Sequence, residues 1–240
     1  MALDGIVVKV LTVNAGSSTL KLSLMAEDGT RLGGQLVEVD DVGAAERALH
    51  DALAELERPD AVGHRVVHGG AEFTGPVLLD DAVRSRLESF VELAPLHQPG
   101  ALAGIDLVGK ALPDLPAVAC FDTAFHTTLS EAASTYALPP EWRGRGIRRY
   151  GFHGLSHAYS ARRAGEMLGS RPSRLVICHL GAGASLSAVL DGRCVDTTMG
   201  FTPLEGLVMA TRSGDVDPGL LTWLQRRHDL TPTDLEAGLN

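Results

Sequence analysis

The segment of residues 200–218, GFTPLEGLVMATRSGDVDP, has a composition that fits neither a polar connector nor a core element. It contains three glycines, two prolines, three acidic residues and one arginine, Arg212, within an otherwise apolar run. Glycine allows the main chain to approach a ligand closely, and the planar guanidinium of arginine suits phosphate and carboxylate. We therefore expect this glycine-rich segment to hold a cation against a small anion.

A second arginine, Arg65, lies inside the apolar, strand-like run of residues 62–67. A buried arginine requires an anionic partner. The residues alone leave two partners open: an aspartate or glutamate in a structural ion pair, or an anionic substrate.

Histidines are concentrated near these arginines and in the segments between them. Seven of the nine lie in or beside such segments: His64, His68, His97, His126, His153, His157 and His179. The pairs His64–His68 and His153–His157 have the four-residue spacing that could bind zinc from one helix face. Neither pair has a glutamate after its first histidine, and the two segments are strand-like and loop-like. We expect no zinc site, and we expect His157 to be structural.

Two loops of small residues could bind phosphate. The first loop, residues 14–19, has the sequence NAGSST, and the second loop, residues 181–184, has the sequence GAGA. Main-chain N–H groups of such loops can converge on a phosphate because no side chain blocks the approach. Ordinary tight turns have the same composition, so the loops alone leave this function open.

Asp122 follows a predicted buried strand over residues 117–121. Open α/β sheets place functional groups at the carboxyl ends of their strands. A turn or helix-capping aspartate is the alternative interpretation.

The elements that must position these residues occur in a repeated order. The order is strand, small-residue loop, strand, Asp-Gly turn and strand, first over residues 6–39 and again from residue 175. Such a duplication predicts two domains of like topology, and two hairpins that share turn chemistry by chance are the alternative. Helices are predicted over residues 45–56, 81–92, 100–112, 158–168 and 218–227, and from residue 231 onward. Asp217 and Pro218 are typical of a helix start.

Seven segments follow one another along nearly the whole length of the chain. They are VNAGSSTLKLSL, GHRVVHGG, LAPLHQPG, FDTAFH, RRYGFHGLSH, CHLGAGASL and the glycine-rich segment. In this order, the seven segments resemble the acetate kinase family. The resemblance implies an α/β fold with two duplicated, actin-like domains, as in sugar kinases, actin and heat-shock chaperones. Residues 1–126 would form the first domain, and residues 127–240 the first part of a second domain that is incomplete in this chain.

The resemblance also implies roles for individual residues. The catalytic residues would be Arg65, Asp122, His153 and Arg212. The two arginines would flank the substrate carboxylate and the transferring phosphoryl group, and His153 would stabilise charge on that group. Asp122 would act near the magnesium ion and the substrate carboxylate. The substrate-binding residues would be Arg65 and the small apolar pocket of Val67, Leu96, Phe152 and Pro203.

The same resemblance assigns phosphate and ATP binding to residues of both loops. They are Asn14, Ser17, Thr19, His179, Leu180, Gly181, Ala182 and Gly183, and Asn14 would also be the metal ligand. The chain departs from the family at three of its motif positions. Ala182 and Gln98 stand where most members have asparagine, and Thr19 replaces a serine but keeps the hydroxyl. Because alanine has no side-chain donor, Ala182 puts the strength of phosphate binding in doubt.

The composition limits the partners of the protein. With 240 residues, 45% hydrophobic residues, 21% charged residues and a net charge of −9, the chain is typical of a soluble globular protein. The negative charge argues against nucleic acids and anionic membranes as partners. Cys120, Cys178 and Cys194 lie in apolar runs and are expected to be reduced, buried thiols of a cytoplasmic protein. No apolar run approaches the roughly 20 residues that span a bilayer.

We therefore expect the full-length protein to transfer phosphate from ATP to the carboxylate of a short-chain acid. Acetate and ATP would give acetyl phosphate and ADP reversibly, with Mg²⁺ or Mn²⁺ as the cofactor and a homodimer as the assembly. The alternatives are a kinase of propionate or another short acid, and a non-catalytic phosphate- or nucleotide-binding relative. The resemblance places the adenosine pocket beyond residue 240, so residues 1–240 alone are expected to be inactive.

Overall fold

The computed structural model describes residues 8–16, 18–39, 42–95 and 97–240. The chain divides into two compact units, Met1–Phe121 and Asp122–Asn240. This division falls earlier than the domain boundary expected after His126, and the two actin-like domains stay a prediction.

The described strands of the first unit form one mixed sheet. They are β1 (Lys9–Ala15), β2 (Thr19–Ala26), β3 (Arg31–Glu38), β4 (Ala61–Val66), β5 (Val77–Leu78) and β6 (Ala117–Phe121). Their order in the sheet is β3-β2-β1-β4-β6-β5. The strands β1, β2 and β3 pair antiparallel, whereas β4 pairs parallel with both β1 and β6. Strand β1 therefore leads into the first loop beside the carboxyl end of β4, where Arg65 lies.

The helices of the first unit are α1 (Val42–Ala54), α2 (Asp81–Glu88) and α3 (Gln98–Ala111). The core lies between the sheet and the helices α1 and α3, and it includes Leu11, Val13, Leu22, Leu49 and Val108. Helix α2 begins where expected, with Asp80 accepting a hydrogen bond from the Val83 N–H. It ends earlier than the predicted range of residues 81–92, and a separate 3-10 turn follows at Val91–Leu93.

The second unit contains a further antiparallel sheet in the order β7-β8-β9. Its strands are β7 (Arg174–Leu180), β8 (Ala184–Leu190) and β9 (Arg193–Thr197), and its helices are α4 (Glu131–Ser134), α5 (Pro140–Arg143), α6 (Gly154–Leu168), α7 (Pro218–His228) and α8 (Pro232–Leu239). Helix α6 packs against β7, and β7 exposes Val176, Cys178 and Leu180 on alternate positions. The prediction of three buried thiols is therefore wrong for Cys178, and Cys120 is only half-buried, whereas Cys194 is buried. Within the described part of the chain, no helix has the length and apolar character that a membrane span requires.

Helix α6 begins at Gly154, whereas the sequence pattern predicted a start at Ala158. The extra turn forms because the Gly154 N–H donates to the Asp122 main-chain oxygen at 2.8 Å, a contact that local periodicity does not show. A side chain on Gly154 would collide with that oxygen. Helix α7 begins as predicted, with Asp217 accepting from the Gly219 N–H and Pro218 at the first helical position.

Candidate anion-binding site

Arg212 and His153 come together at Gly183, in the second loop. A Cβ atom placed on Gly183 would lie 3.4 Å from Arg212 Nη1 and 3.4 Å from His153 Nε2. The space that a side chain would fill is therefore bordered by a cation and an imidazole nitrogen. Because glycine leaves this space open, an oxygen of a phosphoryl group could contact both groups there.

Arg212 is half-buried, and its Nη1 donates to the main-chain oxygen of Pro203 at 3.3 Å. Burial lowers its pKa, and no carboxylate of the described residues offsets this effect. A half-buried guanidinium without a carboxylate partner has donors left for a bound anion. This environment favours a ligand over a structural ion pair as the partner of Arg212.

The glycine-rich segment holds Arg212 through its own turns. Gly206 and Gly214 adopt positive φ angles of 106° and 68°, which favour glycine. The Gly206 N–H donates to Asp215 Oδ1 at 2.8 Å, and the Asp215 N–H donates back to the Gly206 oxygen at 2.9 Å. The Ala210 N–H donates to the Ala182 oxygen at 3.3 Å, which ties the segment to the second loop.

A network of Arg149, Glu205 and Tyr136 fixes the start of the same segment. Arg149 Nη2 donates to Glu205 Oε1 at 2.6 Å, and the Tyr136 hydroxyl donates to Glu205 Oε2. The Phe201 N–H donates to the Tyr136 hydroxyl at 2.8 Å, and any side chain on Gly200 would collide with Glu205 and Tyr136. Sequence analysis missed this network. Its only signal was the presence of Arg149 and Glu205 inside two of the resembling segments.

His153 is placed by the beginning of helix α6. It is the N-cap residue and has a left-handed φ of 58°, which is uncommon outside glycine. Its ring stacks on the ring of His179, with centroids 4.0 Å apart, and His179 Nδ1 is 2.9 Å from Ser156 Oγ. A Cβ on Gly181 would be 3.9 Å from His179 Nε2. The structure thus brings together five of the residues predicted to bind phosphate or stabilise its charge, namely Arg212, His153, His179, Gly181 and Gly183.

The remaining predicted residues of the second unit lie around this group. Leu180 and Ala182 are exposed. Pro203 is half-buried, and its main-chain oxygen accepts a hydrogen bond from Arg212. Phe152 is buried, and its main-chain oxygen accepts from His126 Nε2 at 2.9 Å. Burial lowers the pKa of His126, while the Asp122 carboxylate opposes that shift. Asp122 is itself buried.

In the first unit, Arg65 donates from Nη1 to Asn14 Oδ1 at 2.9 Å. The two residues are register partners of the parallel strands β1 and β4. Arg65 is half-buried, not buried as expected, because Val62, His64 and Val66 occupy the buried positions of β4. Thr19 begins β2, and Val67 is buried. Ser17 and Leu96 lie outside the described residues.

Gln98 has a structural place in the first unit. It is fully buried, and its Nε2 donates to the main-chain oxygens of His68 and Leu87 at 3.3 Å each. His64 and His68 are also buried, and burial lowers the pKa of each to about 4, so both rings are neutral at pH 7. Within the described ranges, no group of three or more His, Cys, Asp or Glu residues could hold a metal ion.

The model of the acetokinase family matches residues 37–240. The chain belongs to the acetokinase family. This finding confirms the resemblance that the seven segments indicated, and the match covers the first unit from residue 37 onward and the whole second unit.

Curated members of the acetokinase family are similar to this chain over most of its length. The acetate kinase of Microcystis aeruginosa is 45% identical over 233 residues, which are 96% of this chain and 57% of that protein. The acetate kinase of Deinococcus radiodurans is 46% identical over 261 residues, covering 96% of this chain and 65% of its own length. The chain therefore spans less than two thirds of these relatives.

Solved structures support the fold assignment. A propionate kinase from Francisella tularensis has a TM-score of 0.90 and 35% identity, covering 97% of this chain and 68% of that chain. The acetate kinase of Porphyromonas gingivalis has a TM-score of 0.88 and 37% identity, with coverages of 97% and 67%. The predicted α/β fold is confirmed as the fold of these kinases.

Proposed function

We propose that the complete gene product containing this chain transfers a phosphoryl group reversibly between ATP and the carboxylate of acetate. The observation that carries this proposal is the open space above Gly183, which Arg212 and His153 border. The curated relatives quoted above are named acetate kinases, and this supports acetate as the acceptor. The pocket for the acyl group decides between acetate and propionate, because one methylene is worth only about 1–3 kcal/mol of discrimination.

In this reaction a carboxylate oxygen of acetate attacks the γ-phosphorus of ATP. A new oxygen–phosphorus bond forms while the bond from phosphorus to the β,γ-bridging oxygen breaks, and ADP leaves with that electron pair. The transition state spreads negative charge over the three equatorial oxygens of the phosphoryl group, so catalysis requires positioning and charge stabilisation. A guanidinium and an imidazole N–H beside one open space could supply both.

Arg212 would bind two phosphoryl oxygens through its planar fork, and His153 would donate from Nε2. Main-chain N–H groups of the second loop would orient the phosphates. These N–H groups are accessible because Ala182 is exposed. Arg65 would bind the substrate carboxylate, and Asp122 would act close to it. The other assignments stay as predicted: Asn14, Ser17 and Thr19 for phosphate, and Val67, Leu96, Phe152 and Pro203 for the acyl group.

The proposed cofactor is Mg²⁺ or Mn²⁺, which would neutralise charge on the phosphates of bound ATP. Magnesium keeps several waters and takes few protein ligands when it binds with phosphates. The exposed Asn14 fits such a site, because its amide oxygen has two lone pairs and accepts one hydrogen bond from Arg65.

The non-catalytic alternative is favoured by Ala182, which lacks a side-chain donor. It shares the anion site of Arg212 and His153 with the kinase, so turnover, and not phosphate binding, separates the two functions. We also propose a cytoplasmic location, which the net charge of −9 and the three free cysteines support. The homodimer stays a prediction.

The test is magnesium-dependent formation of acetyl hydroxamate from acetate, ATP and hydroxylamine by the complete gene product. We expect turnover that requires both acetate and the metal, with propionate as the second acid in the same assay. Absence of turnover in a folded protein that still binds ATP would replace the kinase with the non-catalytic alternative.

A further inference from the structure

Ser185 lies between the rings of two histidines. Its Oγ is 2.9 Å from His153 Nδ1 and 2.8 Å from His157 Nε2. Ser185 and His157 are both 0% exposed. The four-residue spacing of the two histidines thus brings both rings to one hydroxyl, because one is the N-cap of α6 and the other lies in its first turn.

The hydroxyl contains a single hydrogen, so Ser185 can donate to only one of the two rings. The hydroxyl oxygen could also accept from both rings, but its own buried hydrogen would then lack an acceptor, because the two rings are the partners of Ser185 Oγ among the described residues. Ser185 therefore donates to one ring and accepts from the other. Either His157 Nε2–H donates to Ser185 and Ser185 donates to His153 Nδ1, or both hydrogen bonds run in the opposite direction.

The second nitrogen of His157 decides between these directions. His157 Nδ1 is buried and has no hydrogen-bond partner in the part of the chain that the structure describes. Burial, together with the nearby His126 and His179, lowers the pKa of His157 to about 4, so at pH 7 the neutral ring carries one proton. A proton on Nδ1 would be a buried N–H without an acceptor, which is rarer in proteins than an acceptor that lacks a donor. The proton therefore belongs on Nε2, from which it donates to Ser185.

We propose that His157 and Ser185 are positioning residues that fix the tautomer of His153. Ser185 donates to His153 Nδ1, so the single proton of an uncharged His153 ring lies on Nε2. That nitrogen borders the space above Gly183 beside Arg212, so the bound anion meets an N–H donor and not a lone pair. The catalytic consequence rests on the proposed function, whereas the tautomer can be measured without turnover.

The experiment is a two-bond ¹⁵N–¹H correlation spectrum of the protein labelled with ¹⁵N-histidine, which distinguishes protonated from bare ring nitrogens. The His153 signals are assigned by their loss in His153→Gln. In the wild-type protein we expect His153 protonated on Nε2 and bare on Nδ1. In Ser185→Ala we expect this single tautomer to be lost.

Ser187→Ala is the matched control. Ser187 lies on the same strand and the same face, is 1% exposed, and its Oγ has no hydrogen-bond partner among the described residues. This variant removes a buried hydroxyl without touching either ring, so we expect the wild-type His153 spectrum. If circular dichroism shows that Ser185→Ala does not fold, Ser185→Cys replaces it. A thiol has a similar size but is a weaker donor than a hydroxyl, so a mixture of His153 tautomers is then expected.

A wild-type His153 protonated on Nδ1, or a folded Ser185 variant with the wild-type tautomer, overturns the inference. The assay for acetyl phosphate separates this outcome from a failure of the proposed function. The expected tautomer without turnover refutes the kinase alone, whereas turnover with the opposite tautomer refutes the positioning role alone. Addition of inorganic phosphate is expected to shift the His153 Nε2 signal in the wild-type protein.

Discussion

The first and second loops have the same main-chain setting but obtain their polar groups in different ways. Each joins two antiparallel strands, β1 to β2 and β7 to β8. The first loop carries its own amide and hydroxyl side chains, and its Asn14 accepts from Arg65. The second loop has only glycine and alanine, and His153 and Arg212 reach it from other elements. The repeated strand–loop–strand pattern thus positions the two loops, whereas the polar side chains at each loop come from different elements of each unit.

The two arginines differ in how the fold holds them. Arg65 is part of β4, and the register between β1 and β4 sets it beside Asn14. Arg212 lies outside any helix or strand and depends on turns with Gly206, Gly214 and Asp215 and on the Arg149–Glu205–Tyr136 network. The position of Arg65 therefore depends on sheet pairing, whereas that of Arg212 depends on side-chain hydrogen bonds.

The largest expected effect is loss of turnover when either arginine is removed. Arg212→Ala and Arg65→Ala in the complete gene product should each lower kcat by about 10³–10⁵-fold, the range for an arginine that acts on a phosphoryl transition state. The measurement is acetyl phosphate formation together with the free energy of unfolding, which should change much less.

Arg174→Ala, which removes an exposed arginine of β7, is the control and should keep normal turnover. An Arg212 or Arg65 variant that keeps near-normal turnover, or that simply unfolds, would assign that arginine a structural role.

Ala182→Asn makes the second loop more like the first by adding a side-chain donor. One well-placed hydrogen bond to a charged group is worth about 1.5–3 kcal/mol, so we expect tighter acetyl phosphate binding or faster turnover. Calorimetry with acetyl phosphate and steady-state assays measure this effect. Ala182→Ser is the control, because it also makes this exposed position polar but has a shorter side chain than asparagine. Identical binding and turnover in all three proteins would mean that residue 182 does not face the phosphate.

Tyr136→Phe tests the network that holds only the second arginine. The variant removes the hydroxyl that donates to Glu205 and accepts from the Phe201 N–H. Leaving a fully buried donor unsatisfied costs about 1–3 kcal/mol. Because Phe201 is half-buried, urea unfolding should show a loss toward the lower end of this range, and kcat should fall with it. Tyr159→Phe, at an exposed tyrosine, should change neither quantity. An equal free energy of unfolding in the two variants would contradict the proposed dependence of Arg212 on this network.

The effect that is smallest near neutral pH is the pH dependence of stability from buried histidines in both units. Burial lowers the pKa of His64 and of His157 from the ordinary 6.5 to about 4. Between these values the unfolded chain binds protons that the folded chain does not, so stability is greatest above pH 6.5 and falls as the pH falls toward 4. Each such imidazole contributes about 1.4 kcal/mol per pH unit. His64→Leu and His157→Leu should each make the measured dependence shallower than in the control His50→Leu, and equal slopes in all three would contradict the assignment.

Much of the fold followed from local patterns. The strand–loop–strand order within residues 6–39 predicted β2, and Asp217-Pro218 predicted the start of α7, because both signals are short-range. The start of α6 at Gly154 was missed because a distant main-chain oxygen, that of Asp122, stabilises its first turn.

The site was predicted less completely. Arg212 and His153 could be named because each lies in a resembling segment, and the structure places both at Gly183. The roles of Tyr136, Glu205 and Ser185 could not be named, since each depends on partners at least 28 positions away in the sequence. Sequence patterns report neighbours along the chain, whereas these hydrogen bonds form only after the strands and loops have packed.

The central claim is that Arg212 and His153 act on the same phosphoryl group. A double-mutant cycle tests it most directly, with kcat for acetyl phosphate formation measured for Arg212→Ala, His153→Gln and the double variant of the complete gene product. Residues that act as a unit are strongly non-additive, so the double variant should lose much less activity than the product of the two single losses. A loss equal to that product would show that the two residues act independently, and it would contradict the account.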